Sequence, residues 1–134
     1  APRERSSHCP LVIAINHPPF LALIVQMVEV GRLDGAAELE SIVRLFPNVE
    51  LVICGHLHRS IQVRFGGTIA ATIPSPAHQV CLDLAPDAAS AWTLEPPGFA
   101  LHALPQGGRL VSHLAASGAF EGPFPFHEGG KLID

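Results

Sequence analysis

The fold is decided by the stretch Glu50-Leu51-Val52-Ile53-Cys54, which runs directly into Gly55-His56-Leu57-His58. Residues 50–54 form a short apolar run closed by a glycine, and this pattern predicts a buried strand. A second apolar run, residues 11–16, stops at Pro18-Pro19 and predicts a strand of the same kind. Two strands that are apolar throughout predict a sheet covered on both faces.

The chain between these two runs predicts a helix. Leu39, Ile42, Val43 and Phe46 recur at helical spacing, and a proline ends the pattern. Residues 20–30 are apolar enough for either a strand or a short helix. Strand, helix and strand in this order predict a right-handed βαβ unit whose two strands are parallel.

From residue 61 onward the pattern predicts antiparallel strands. Residues 61–65 and 68–72 flank Gly66-Gly67, a hairpin signal, and further short strands are expected over 78–84, 98–104 and 109–115. The fold class is therefore α/β to α+β, a βαβ unit followed by antiparallel strands. Trp92 and the seven phenylalanines are expected to pack in the core or along the tail, and residues 122–126 are expected to follow a surface groove.

Composition excludes several classes of protein. The 134 residues match one domain, and 48% hydrophobic against 15% charged residues excludes a disordered chain. No apolar stretch approaches the ~18 residues of a membrane span. A net charge of −4 with scattered cations indicates no nucleic-acid partner. Three cysteines without C-x-x-C spacing favour a reducing cytoplasm, and the first residues read like a segment cut from a longer chain.

Three of the eight histidines point to a metal site. His56 and His58 follow one buried strand and His17 follows the other, and parallel strands bring their carboxyl ends to one edge of the sheet. Neutral imidazole suits Zn, Fe, Mn, Co or Ni. For each histidine taken alone, an ordinary hydrogen bond in a loop is the competing interpretation. No acidic residue lies within a few positions of these histidines, so the sequence offers three ligands without a counter-charge.

These motifs resemble the C-terminal half of the calcineurin-like metallophosphoesterases. Asn16-His17-Pro18-Pro19 and Gly55-His56-Leu57-His58-Arg59 look like the branch of class III cyclic-nucleotide phosphodiesterases and glycerophosphodiesterases. Similar stretches extend the resemblance over nearly the whole chain: residues 64–67, 74–80, 94–99 and 122–126.

The resemblance implies one C-terminal segment of a four-layer sandwich over residues 1–134. Its parts would be a flexible start over 1–10, a βαβ unit with metal-ligand loops over 11–60, antiparallel strands over 61–117 and an extended tail over 118–134. The family binds two metal ions, which could be Fe, Mn, Zn or Co. By resemblance, His17 and His56 would ligate one metal and His58 the other.

The resemblance also implies the reaction. A hydroxide that bridges the metals would hydrolyse a phosphodiester, either a cyclic nucleotide 3′,5′-phosphodiester or a glycerophosphodiester. The remaining ligands belong to D-x-H, G-D and G-N-H-[DE] motifs, none of which occurs in this chain. We therefore expect it to be inactive alone and to need the N-terminal half as partner. His78 and Arg59 are candidate substrate-binding residues, with a turn histidine and a surface arginine as the ordinary alternatives.

Two other functions compete with this one. The mean hydropathy of +0.33 favours an exposed apolar face, so the chain could be a non-catalytic domain that self-associates and serves oligomerisation. A single metal ion held by three histidines is a third possibility.

Overall fold

A computed structural model describes residues 9–132 and contains two helices and ten strands within them. In chain order these are β1 (Leu11–Ile15), α1 (Val25–Gly31), α2 (Ala36–Val43), β2 (Val49–Cys54), β3 (Ile61–Phe65), β4 (Thr68–Thr72), β5 (Gln79–Val80), β6 (Trp92–Thr93), β7 (Gly98–Ala103), β8 (Val111–Ala116), β9 (His127–Glu128) and β10 (Lys131–Leu132). The flexible start expected over residues 1–10 falls mostly outside the described residues. Within the described part, no helix has the length and apolar character that crossing a membrane requires.

The main sheet has the strand order β1-β2-β4-β3. β1 and β2 are parallel, with Ile15 opposite Cys54, and β2 and β4 are also parallel. β3 and β4 form the predicted antiparallel hairpin, and its turn uses the positive φ angles of Gly66 (58°) and Gly67 (96°). The predicted parallel strand pair and the predicted hairpin are both confirmed.

The structure shows which secondary structure forms in the stretch 20–30, for which the sequence allowed either a strand or a short helix. The end of the apolar stretch 20–30 forms α1, and the predicted amphipathic helix forms as α2. The helix ends at Val43, earlier than predicted, because Leu45 and Phe46 donate to the carbonyls three residues back in a tightened last turn. Val43 is buried, but Ile42 and Phe46 are exposed, so the buried stripe of α2 is narrower than the spacing indicates.

The core lies on one face of the main sheet. Its buried members are Phe20, Val43, Val49, Val52, Cys54, Phe65 and Ala70. On the opposite face, Val12 and Ile69 are exposed, and a cavity of about 230 Å³ opens beside Ala14 and Ile53. Among the described residues the expected covering of both faces is therefore only partial, since Leu51 and Ala71 are buried on this second face while Val12 and Ile69 are not.

The C-terminal strands pair as separate two-stranded ribbons, β5 with β6, β7 with β8 and β9 with β10. Every residue of β8 is exposed. The expected packing of the aromatic residues is wrong for Trp92, which is 63% exposed, and for Phe124 and Phe126, which are 73% and 78% exposed. The ribbons and the residues after them offer these rings too little neighbouring apolar surface. The architecture is a mixed α/β arrangement with few helices, compatible with the α+β alternative.

Candidate functional site

Two loops meet where the parallel strands β1 and β2 end. The register that pairs Ile15 with Cys54 places Asn16-His17 beside Gly55-His56. The Gly55 amide donates to the carbonyl of Asn16 at 3.1 Å, which ties the two loops together. A Cβ on Gly55 would lie 3.3 Å from Oδ1 of Asn16, so a residue without a side chain suits this close approach.

The loop after β2 has an unusual backbone. His56 and His58 both adopt left-handed conformations, with φ of 67° and 49°. For residues other than glycine such conformations cost about 1 kcal/mol or more, and they cluster at functional sites. Leu57 between them is 1% exposed, and its amide donates to the Gly55 carbonyl at 2.8 Å. The buried leucine fixes the loop from which both imidazoles emerge.

His17 and His56 are in direct contact. Their ring centroids are 4.7 Å apart and their planes meet at 68°, an edge-to-face arrangement. Nε2 of His56 is buried and has no hydrogen-bond partner among the described residues. On that side the ring faces Gly31, the last residue of α1, where a Cβ would lie well under 3.0 Å from Nε2. Burial lowers the pKa of His56, and the charges of His17 and His58 lower it further, so the neutral ring is favoured.

His58 meets His78 on the other side of the loop. The ring centroids are 4.7 Å apart, and Nδ1 of His58 is buried with no hydrogen-bond partner within the described residues. His78 in turn contacts the Trp92 indole, with 5.5 Å between centroids. The structure thus joins four of the predicted site residues in two pairs, and it adds Trp92, which the sequence analysis expected to pack in the core or along the tail.

Arg59 is held by protein partners. Its Nε donates to the Val80 carbonyl at 2.8 Å, and its Nη2 donates to Oε1 of Glu95 at 2.6 Å. The arginine side chain is largely buried, while Glu95 is half-exposed. This ion pair clamps the histidine loop to the segment that carries β5 and β6. The predicted substrate contact of Arg59 stays a prediction.

The imidazoles fit part of a metal site. Buried ring nitrogens without a partner are costly unless something binds them, and His56 and His58 each present one. Within residues 9–132, however, no three His, Cys, Asp or Glu side chains are arranged to hold a metal ion. The donors present suit a transition metal by chemistry, but they do not by themselves complete a coordination shell.

Sequence reasoning missed three residues of this site. Gly31 lies in the stretch whose structure was ambiguous, so its contact with His56 had no visible signal. Glu95 is far from Arg59 in sequence, and only the fold pairs them. Trp92 could have been noticed as the single tryptophan, next to turn-forming residues that favour exposure.

The fold and the site define a mixed α/β protein with an edge of imidazoles at the carboxyl ends of parallel strands. The chain is 36% identical over 129 residues to the probable glycerophosphodiester phosphodiesterase GpdQ of Arcobacter nitrofigilis, covering 92% of this chain and 46% of that protein. It is 26% identical over 121 residues to the glycerophosphodiester phosphodiesterase GpdQ of Enterobacter lignolyticus, covering 89% and 42%. No protein-family model matches the chain.

These relatives confirm the resemblance to the calcineurin-like metallophosphoesterases over most of the chain. The chain spans less than half the length of the curated relatives it matches. This coverage is consistent with a C-terminal segment of such a protein.

Proposed function

We propose that this chain forms part of a metal-dependent phosphodiesterase site and acts together with an N-terminal half of the same protein. One observation carries the proposal. At the edge where β1 and β2 end, two buried imidazole nitrogens, on His56 and His58, have no hydrogen-bond partner in the part of the chain that the structure describes. Unpartnered buried nitrogens at the carboxyl ends of parallel strands are expected where a ligand binds.

The three histidines have distinct roles in this proposal. His17 and His56, whose rings are in contact, would hold one metal ion, and His58 would hold a second. The two ions, drawn from Fe, Mn, Zn or Co, would supply Lewis-acid chemistry at a phosphodiester. Burial lowers the pKa of His56, which favours the neutral form that a metal ligand requires.

The site needs further donors, and the proposal places them in the N-terminal half. Hard or charged metal centres ordinarily include carboxylates, and the described histidines have none arranged around them. The open face of the main sheet, beside Ala14, Ile53 and Ile73, would be covered by a second sheet to complete the four-layer sandwich. The chain alone would then be inactive.

We infer the substrate class from the names of the relatives and from the side chains beside the histidine loop. A glycerophosphodiester is the substrate named for both relatives, and a cyclic nucleotide is the alternative within the same branch. In this proposal His78, whose ring contacts that of His58, would donate a hydrogen bond to a phosphodiester oxygen. Arg59 would act on the substrate side of the same loop, held in place by Glu95.

Hydrolysis of bis-p-nitrophenyl phosphate with Mn²⁺ tests the proposal. The chain joined to its upstream half should be active and the chain alone inactive. In the joined protein, His58→Ala should lower kcat/KM by at least about 100-fold, because loss of a ligand exceeds the 10- to 100-fold effect of losing its supporting groups. His113→Ala, on the exposed strand β8, is the matched control and should keep full activity. Equal activity of the chain alone and the joined protein would refute the split site.

Self-association is the second candidate function, and the β7–β8 ribbon favours it. A two-stranded ribbon is marginally stable by itself, yet Phe99 and Leu101, which share one of its faces, are 50% and 58% exposed. A second copy of the chain would cover these side chains. In sedimentation equilibrium, Leu101→Lys should shift oligomers to monomers, whereas Leu84→Lys, at an equally exposed leucine off the ribbon, should not. A monomer at high concentration for the unmodified chain would contradict this function.

A further inference from the structure

Gln79 closes the loop that presents His78. Its side chain is buried at the start of β5, and its amide bonds to the backbone of Ser75, four residues earlier. Nε2 of Gln79 donates to the Ser75 carbonyl at 2.8 Å, and Oε1 of Gln79 accepts from the Ser75 amide at 3.2 Å. A primary amide offers the same donor and acceptor as a peptide group, so Gln79 satisfies both backbone groups of the buried Ser75.

Ser75 makes two further hydrogen bonds that hold this loop. Its hydroxyl accepts from the Ala77 amide at 3.1 Å, and its carbonyl accepts a second bond, from the Gly98 amide, at 3.0 Å. Buried backbone groups outside regular secondary structure need such partners. Residues 75–79, which we call the 75–79 arch, are therefore closed by Gln79 and tied to the start of β7.

The 75–79 arch carries His78 to the candidate site. Pro76 and Ala77 are exposed on the arch. The centroid of the His78 ring lies 4.7 Å from that of His58 and 5.5 Å from that of Trp92. Because His78 is next to Gln79 in the chain, the two bonds that close the arch also fix the backbone from which the His78 ring reaches His58.

We propose that Gln79 is a positioning residue for the reaction, because its amide holds the 75–79 arch and thereby keeps His78 against His58. This inference rests on the proposed function, in which His78 binds the phosphodiester. A displacement of about 1 Å can cost about 100-fold in rate. A buried polar network with all of its bonds made is rigid, so the arch restricts such a displacement.

A double-mutant cycle in the joined protein tests this role. Methionine has nearly the length of glutamine but makes neither hydrogen bond. Gln79→Met should therefore lower kcat/KM for bis-p-nitrophenyl phosphate about 10- to 100-fold, the usual effect of removing a supporting group. In a His78→Ala background the same substitution should cost less than about twofold, because the ring that Gln79 positions is gone. Equal losses in the two backgrounds, or no loss in either, would overturn the proposal.

Ser75→Ala is the matched control. It removes the hydroxyl that accepts from the Ala77 amide but keeps the backbone groups that bond to Gln79. Water can replace the lost bond because Ala77 is exposed, so kcat/KM should fall less than about threefold. A loss as large as that of Gln79→Met would contradict the role of the Gln79 amide. Circular dichroism checks that each variant folds. If Gln79→Met does not fold, Gln79→Glu, which keeps the shape of the side chain, takes its place in the same cycle.

NMR measures the position of His78 without the reaction. In the metal-free chain the ring current of the Trp92 indole should shift the His78 ring protons, and the spectrum of His78→Ala identifies their resonances. Gln79→Met should remove most of this shift, whereas Ser75→Ala should keep it. Unchanged His78 resonances in a folded Gln79→Met chain would refute the positioning. If the shift is lost in Gln79→Met while the joined protein is inactive, the proposed function fails and the hold of Gln79 on His78 stands.

Discussion

Replacing Gly31 by alanine should push the His56 ring out of its place. The new Cβ would lie well under 3.0 Å from Nε2 and Cδ2 of His56, whereas ordinary contact begins at about 3.5 Å. The ring must therefore move by more than about 0.5 Å, and His17 already bounds it on another edge. Such overpacking costs about 1–3 kcal/mol. Alanine in place of glycine in a helix returns about 0.5–1 kcal/mol, so the net destabilisation should be about 0–2.5 kcal/mol.

A double-mutant cycle isolates this contact. Urea unfolding followed by circular dichroism gives the free energy of unfolding for Gly31→Ala in two backgrounds, the unmodified chain and His56→Ala. Without the imidazole the clash is gone, so Gly31→Ala should then be neutral or stabilising by up to about 1 kcal/mol. The coupling free energy should be about 1–3 kcal/mol. The same change in both backgrounds would show that Gly31 and His56 do not meet and would refute the reasoning.

Three further predictions concern the loop, the core and pH. In thermal melts, Gly66→Ala should lower Tm more than Gly67→Ala, because both have positive φ but only a Cβ on Gly66 would press against α2; equal losses would contradict this. Cys54 should react more slowly with iodoacetamide at pH 8 than the half-buried Cys81, since burial raises the pKa of the Cys54 thiol to about 11; mass spectrometry in the presence and absence of urea measures both rates. The free energy of unfolding should fall as pH drops below 6.5, because the unfolded chain takes a proton that folded His56 resists. This slope should be smaller in His56→Gln.

The sequence predicted the part of the fold that local pattern controls. The strands β1 and β2, their parallel pairing and the β3–β4 hairpin follow from apolar runs and from Gly66-Gly67. The end of α2 was harder, because the apolar spacing continues to Phe46 while the backbone tightens after Val43. The sequence of the strands could not predict how much of each sheet face the rest of the chain covers. An apolar strand shows that a layer is needed, but not whether the same chain supplies it.

The candidate site also combines contacts that the sequence predicts with contacts that depend on the packing of distant segments. The carboxyl ends of parallel strands brought His17 against His56, as the connectivity predicts. The contacts of Gly31, Glu95 and Trp92 depend on how separate segments pack against one another, and no spacing in the sequence encodes them. The expectation for Trp92 was wrong because large aromatic residues are usually buried, and here the ribbon that carries it has only two short strands.

The burial of Leu57 explains how the chain tolerates a strained backbone at His56 and His58. Left-handed conformations at His56 and His58 cost about 1–3 kcal/mol each. Burial of a leucine side chain contributes about 1.5–3 kcal/mol, and Leu57 is almost fully buried and lines the same small cavity as Pro18 of the other loop. The leucine thus offsets much of the strain and couples the two loops that carry imidazoles. Removing it should relax the backbone at both histidines together, so the two rings form one structural unit and respond to the core beneath them.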